Sequence, residues 1–238
     1  MRRNGFTLIE MIVTIVVVAI IFLGIAGFVE FGAKGYTQTI DRQRVQNQTR
    51  FAIEKLGREI SHAVPNSFDL TSSNQCLSFY PIEYAGFYAR REDTGRIEFV
   101  VGNELEYPHT FEDGTRLVIN PSRMADLEDD GQSVSIAGVS SSSESGDFFS
   151  VTMNPPSDST ANRHFIYRKN MIQYCITSGD ELRRNGVVVA TGIDSNQSEF
   201  RFQDTSLQRG GLIHLDFLFF SGDEQSYYKH DVQVSNVP

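Results

Sequence analysis

The feature that most constrains this chain is an apolar run near its N-terminus, from Met11 to Val29. Its only polar side chain is Thr14. A helix of about 19 residues is roughly 28 Å long, which matches the hydrocarbon thickness of a bilayer. The run therefore predicts a membrane-spanning helix.

An acidic residue, Glu10, stands at the start of this run. A carboxylate in the middle of a membrane costs about 2.5–3.5 kcal/mol on insertion scales, so it needs a partner or a function. If the chain is cut after Gly5, Phe6 gains a terminal ammonium group one helical turn from Glu10. We therefore expect Glu10 to pair with an amine that appears only after processing.

Two simpler interpretations of the N-terminus compete with this one. The first is a secretory signal peptide with a small-residue cleavage site at Gly24-Ile25-Ala26. Its apolar region would be longer than the 7–15 residues that are usual for signal peptides. The second is a signal anchor with Arg2 and Arg3 on the cytoplasmic side. The anchor explains the topology, but neither interpretation explains Glu10 beside the Gly5-Phe6 junction.

The N-terminal sequence resembles a known processing motif. Gly5-Phe6-Thr7-Leu8-Ile9-Glu10-Met11, after a short basic leader, is similar to the prepilin motif of type IV pilins and type II secretion pseudopilins. The resemblance implies that a prepilin peptidase cuts between Gly5 and Phe6 and N-methylates Phe6. It also implies that Glu10 pairs with the terminal amine of a neighbouring subunit, and that the helices pack in the centre of a filament.

Further along the chain, the pattern predicts three segments: a leader at 1–5, a long helix at 6–64 that is transmembrane to about 29, and a β-rich globular domain at 65–238. The helix carries an apolar face at Ile53, Leu56, Ile60 and Val64, which should dock on a sheet. Pro65 disfavours helix at the residue before it.

After Pro65 the apolar residues alternate with period two, which predicts strands. The segment from Leu182 to Val189 predicts a hairpin with a tight turn at Asn185-Gly186. The expected class is α+β, with the long helix packed on antiparallel sheet. The predicted strands are Cys76–Tyr80, Gly86–Arg91, Arg96–Val101, Thr115–Ile119, Ser133–Ile136, Phe148–Thr152, His164–Lys169, Met171–Ile176, Gly186–Ala190, Glu199–Gln203, Leu212–Phe220 and Tyr227–Val234.

The chain has two cysteines, Cys76 and Cys175, both in alternating apolar stretches. A domain outside the cytoplasm keeps disulfides, so we predict that the two are linked. Two buried free thiols are the alternative.

Charge and motifs argue against two function classes. The formal net charge is −9, so the chain does not offer the cationic surface that general nucleic-acid binding needs. The five histidines are scattered, and the sequence contains no HExxH, G-x-S-x-G or P-loop pattern. We therefore predict no catalytic residue and expect a protein that is not an enzyme.

One acidic stretch is a weak candidate for calcium. Asp126, Glu128 and Asp130 precede Gly131 with the spacing of the first half of an EF-hand loop. The twelfth position is Ala137, where a bidentate Glu is needed. A solvated acidic loop is therefore the expected state, and no cofactor is predicted.

The C-terminal half is similar to the larger minor pilins, namely J-type pseudopilins, W-type minor pilins and minor pilins of the MSHA pilus. The resemblance implies a subunit in the inner membrane with a periplasmic domain, which later lies on the pilus at the cell surface. Its expected partners are other pilins, the prepilin peptidase and the inner-membrane assembly platform. The retained Glu10 implies a place below the filament tip. The alternatives are a type II secretion pseudopilin and a membrane-anchored adhesin module, and residues 81–162 have no assigned role.

Overall fold

The computed structural model describes residues 7–102, 105–106, 108–128, 130–141, 148–203, 211–222 and 224–234. Its first element is one continuous helix of 54 residues, α1 (Leu8–Ser61). The elements that follow are β1 (Asp69–Thr71), β2 (Cys76–Phe79), β3 (Tyr84–Arg90), β4 (Arg96–Val101), β5 (Thr115–Ile119), α2 (Ala125–Glu128), β6 (Ser133–Ser135), β7 (Phe149–Thr152), β8 (Arg163–Arg168), β9 (Ile172–Thr177), β10 (Glu181–Arg184), β11 (Val187–Thr191), β12 (Glu199–Gln203), β13 (Leu212–Ser221) and β14 (Glu224–Gln233).

The strands form three antiparallel sheets within the described part of the chain. The strand order is β1-β2-β9-β10-β11 in the first sheet and β12-β13-β14 in the second. The third sheet has the order β6-β5-β8-β3-β4-β7. The α+β class predicted from the sequence, a long N-terminal helix with antiparallel sheets, is confirmed.

Only the C-terminal part of α1 packs on the domain. Its buried side chains recur every three or four residues and form one apolar stripe: Val45, Thr49, Ala52, Ile53, Leu56 and Ile60. This stripe shares a core with the inner faces of the first two sheets, including Phe200 and Phe217. The docking face predicted at Ile53, Leu56 and Ile60 is therefore confirmed.

A polar contact fixes this part of the helix against the first sheet. Arg184 Nε lies 2.9 Å from Glu59 Oε2, and the Tyr174 hydroxyl donates to the same oxygen at 3.0 Å. Burial, together with the nearby Glu59 carboxylate, raises the pKa of Tyr174, so the phenol stays protonated and remains a donor.

The helix ends three residues before the predicted boundary at residue 64. The backbone N–H of Val64 donates at 2.8 Å to the carbonyl of Tyr80, the residue that follows β2. Val64 is buried, but it packs with Tyr80, Phe165 and Tyr167, outside the helix core. The helix thus ends at Ser61 because Val64 pairs with Tyr80, a residue distant in the sequence, and not with the preceding helical turn.

The third sheet is an insertion. β2 and β9 are neighbours in the first sheet, and the chain between them folds into β3 to β8. The inserted sheet has its own core, which includes Phe99, Phe111 and Phe149. The described residues of the stretch without an assigned role at 81–162 thus belong to a second packing unit, which the chain forms between β2 and β9.

A disulfide stands at the base of this insertion. Cys76 in β2 lies directly opposite Cys175 in β9, with 4.1 Å between the Cα atoms, and the two Sγ atoms are bonded. The crosslink joins the strand that leads into the inserted sheet to the strand that leaves it.

The local predictions for the strands agree closely with the structure. Asn185 and Gly186 have φ of 48° and 81° and join β10 to β11, as expected for an Asn-Gly hairpin turn. β1 is absent from the predicted strands because it is three residues long and carries little apolar pattern. Its formation depends on pairing with β2.

Truncation of the docking stripe tests this packing. Leu56→Ala should lower the free energy of unfolding by about 3 kcal/mol, because Leu56 is fully buried between α1 and the sheets. Phe51→Ala is the matched control, since Phe51 lies on the same helix and is 63% exposed. Chemical denaturation of the full chain in detergent measures both, and equal losses would contradict the docking geometry.

Candidate functional site

The candidate functional site is the N-terminal part of α1, which the globular domain leaves uncovered. None of the most apolar 18-residue window of the helix is buried. Phe28, for example, is 81% exposed. The core helix of a soluble protein would be mostly buried, so length, composition and exposure together describe a helix able to cross a membrane.

The uncovered part is long. The first polar contact between α1 and the domain is Arg42 Nε to Glu224 Oε2 at 3.7 Å, and the first buried side chain is Val45. The helix before Val45 therefore extends for about 55 Å at 1.5 Å per residue. Lipid covers only part of that length, which leaves the rest for water or for other protein chains.

Glu10 lies in the first turn of this helix. The backbone N–H groups of Glu10 and Met11 donate to the Thr7 carbonyl at 3.1 and 3.3 Å. At this position the positive end of the helix dipole stabilises a negatively charged carboxylate. Among the described residues, no ion pair or hydrogen bond involves its side chain. Gly5 and Phe6, with the leader at 1–5, lie outside the described residues, so the predicted cleavage junction stays a prediction.

A second exposed surface continues along the helix beyond the apolar run. Tyr36, Ile40 and Phe51 are exposed and share one face at 3.6 residues per turn. That face is opposite the one that buries Val45 and Leu56. The helix thus presents one face to its own domain and leaves the other face exposed.

Two of the three calcium candidates, Asp126 and Asp130, are paired with basic side chains. Asp126 accepts hydrogen bonds from the Ser122 N–H at 2.8 Å and from Arg123 Nε at 3.0 Å. Asp130 lies 2.6 Å from Arg116 Nη2. Glu128 is the last residue of α2. No group of three or more His, Cys, Asp or Glu among the described residues could hold a metal.

These contacts explain why the pKa values of both aspartates are lowered. Burial acts to raise the pKa of Asp126, but the hydrogen bonds from Ser122 and Arg123 together lower it. The hydrogen bond from Arg116 lowers the pKa of Asp130. Calcium binding at this loop would require both aspartates to leave these partners.

One comparison with known proteins gives a match, and it lies at the N-terminus. The family model described as the prokaryotic N-terminal methylation motif matches residues 1–26. This segment contains Gly5, Phe6 and Glu10 and supports a type IV pilin-like or pseudopilin N-terminus. No curated protein and no solved structure matches the chain. The evidence for function therefore comes from this motif and from the geometry of α1.

Proposed function

We propose that this chain is a minor pilin, a structural subunit that joins a type IV pilus below its tip. The observation that carries the proposal is a long helix, uncovered over its apolar half, with a single acidic residue in its first turn. The match to the methylation motif supports the processing step that would supply a partner for that acid. The proposal assigns the chain no catalytic activity and no cofactor.

In this proposal Glu10 works between subunits. Cleavage after Gly5 gives Phe6 a terminal amine, which is methylated and positively charged at neutral pH. Within one subunit the amine and the carboxylate are four residues apart in the sequence. In a filament the carboxylate of one subunit meets the amine of its neighbour, and this pairing neutralises both groups in apolar surroundings.

The finer assignment is an MSHA-type pilus, with the minor pilin MshO as the protein that the C-terminal half resembles. Its partners would be other major and minor pilins, the prepilin peptidase and the inner-membrane assembly platform. The domain would lie in the periplasm before assembly and on the pilus afterwards. A J-type pseudopilin would use the same helix chemistry, but it would be required for protein secretion and absent from sheared pili.

Leader removal is the direct test of the processing step. Gly5→Ser should leave the chain at its full-length mass in the membrane, because the peptidase would no longer accept the junction. The wild-type chain should begin at methylated Phe6. Intact-mass and N-terminal peptide measurements on the membrane fraction distinguish these forms.

The matched control is Gly24→Ser, the same exchange within the apolar run, which should be processed normally. A wild-type N-terminus at Gly27 would support signal peptidase cleavage instead. A functional wild-type chain that retains Met1 would refute the proposal.

A further inference from the structure

A polar cleft lies where the first and second sheets meet, on the face of β12–β14 opposite α1. We call it the seam cleft. Its volume is about 630 Å³, within the range of small-molecule sites. Every residue that lines it is polar: Ser73, Gln75, Ser195, Asn196, Gln197, Ser198, Glu199, Arg201, Asp216, Tyr227 and Lys229.

One wall of the seam cleft, residues 194–198, is held in place by side chains. Asp194 Oδ1 accepts from the N–H groups of Asn196 and Gln197 at 2.9 and 3.1 Å. Asp180 Oδ1 accepts from the N–H of Ser195 at 3.2 Å. These bonds fix the loop without help from a ligand, so the cleft is preformed and a ligand need not order it.

The opposite wall contains a strained turn. Ser72, Ser73 and Asn74 all have positive φ, between 53° and 68°. Each non-glycine residue in this region costs roughly 1–2 kcal/mol. The Gln75 N–H donates to the Ser72 carbonyl, and Asn74 accepts from Phe200 in β12. Strain of this kind concentrates at functional sites. Ser73 and Gln75 line the cleft here, and Gln75 Nε2 donates to the Ser195 carbonyl of the other wall.

The floor is a row of charges across three strands. Asp216 lies opposite Glu199 on one side and opposite Lys229 on the other. Asp216 is only 8% exposed and is paired with Arg201. Two acids and two bases balance, so the floor offers donors and acceptors without net charge.

An aromatic ring stands at the open side. Tyr227 is 56% exposed, and Lys229 Nζ lies 5.6 Å from its ring centroid. Within the described part of the chain, the side chains of Tyr227, Lys229 and Asn196 have no hydrogen bond or ion pair. Their polar groups can bind a ligand, and so can the Ser73 hydroxyl, which also has no hydrogen bond among the described residues.

We propose that the seam cleft binds a short neutral saccharide. A sugar presents many hydroxyl groups, which need mixed donors and acceptors, and an apolar C–H face, which packs on an exposed aromatic ring. Apart from the ring of Tyr227, the lining gives no apolar surface for a lipid tail. Its balanced charge gives no excess of cations for phosphate or nucleic acid.

The position of the cleft makes such binding compatible with assembly. The inner face of β12–β14 packs against α1 through Phe200, Phe217 and Val232. The cleft lies on the other face, which a filament built around α1 would leave outside. Binding itself does not depend on the proposed pilin function, because a single chain contains the whole site.

The test is saccharide binding by the full chain in lipid nanodiscs, since many detergents carry sugar headgroups. An array of neutral and anionic oligosaccharides should give a neutral ligand, and calorimetry should give its affinity. Tyr227→Ala and Asn196→Ala should each weaken binding about tenfold or more. Phe87→Ala is the matched control: Phe87 is 54% exposed on the inserted sheet and also has a cation, Arg163, over its ring.

Four outcomes would overturn the proposal. The first is the absence of binding to any saccharide on the array. The second is binding restricted to sulfated or carboxylated sugars, which would identify an anion site. The third is a Tyr227→Ala chain that binds sugar normally but fails to join filaments, which would make the cleft a contact between subunits. A change in binding with Phe87→Ala equal to that with Tyr227→Ala would count as a fourth contradiction.

Discussion

Glu10→Ala should leave the chain in the inner membrane and remove it from the filament. The apolar run is unchanged by the substitution, so insertion should continue. In the filament the neighbour's terminal amine would lose its counter-charge in apolar surroundings. Breaking a buried ion pair by removing one partner costs about 3–5 kcal/mol, so incorporation should fall by about two orders of magnitude or more.

The measurement is the amount of chain in sheared filaments relative to the membrane fraction. Glu30→Ala is the matched control, because Glu30 is on the same helix and only pairs with Lys34, 2.8 Å away at an exposed position. Loss of that pair should change incorporation little. Glu10→Gln separates charge from size and should resemble Glu10→Ala. Wild-type incorporation of Glu10→Ala would mean that the amine has a different partner.

The second large effect is a loss of stability in mild acid that depends on one histidine. His164 is fully buried in β8, in the middle of the inserted sheet, opposite Gly86 in β3 and Ile119 in β5. Its ring centroid is 5.1 Å from that of Phe99. Neither ring nitrogen has a hydrogen-bond partner among the described residues. Burial lowers the pKa of His164 from 6.5 to about 3.

The sign of the effect follows from that shift. Above pH 6.5 the imidazole is neutral in the folded and unfolded states, and the free energy of unfolding is unaffected. Below pH 6.5 the unfolded chain binds a proton that the folded chain does not, so stability falls by about 1.4 kcal/mol per pH unit. The loss reaches about 4 kcal/mol near pH 3, where the folded state also binds the proton.

The comparison of wild type with His164→Leu isolates this contribution, because acidic groups elsewhere affect both chains equally. Urea unfolding of the full chain at pH 7 and pH 4.5 should show about 3 kcal/mol more loss for wild type than for His164→Leu. Parallel pH profiles would contradict the prediction. An imidazole that titrates near pH 6.5 in the folded protein would contradict it as well.

Much of the fold was predictable because its signals are local. The apolar run, the stripe at Ile53, Leu56 and Ile60, and most strands follow from periodicities of 3.6 and 2 residues. The Asn185-Gly186 turn follows from the backbone angles that these two residues accept. Glu10 could be recognised from its neighbours alone, because a carboxylate beside an apolar run is costly whatever fold the rest of the chain adopts.

The remaining features depend on residues far apart in the chain. The early end of α1 comes from a bond between Val64 and Tyr80, and β1 exists only as a partner of β2. The seam cleft collects its lining from Ser73 to Lys229. His164 has a sequence context like that of any strand histidine, and only the packing of β3 and β5 around it removes water and partners from its ring.

The sequence by itself determined most of the helical and strand segments, where the apolar run lies, and which acid stands at its start. These depend on short-range backbone preference and on the distribution of apolar side chains. Tertiary structure alone decided that six strands form an insertion on the first sheet, that α1 keeps one face uncovered, and which polar groups meet in a cleft. Strand order and burial arise from contacts between residues that are far apart in the sequence. The energies of such contacts cannot be inferred from a local sequence pattern.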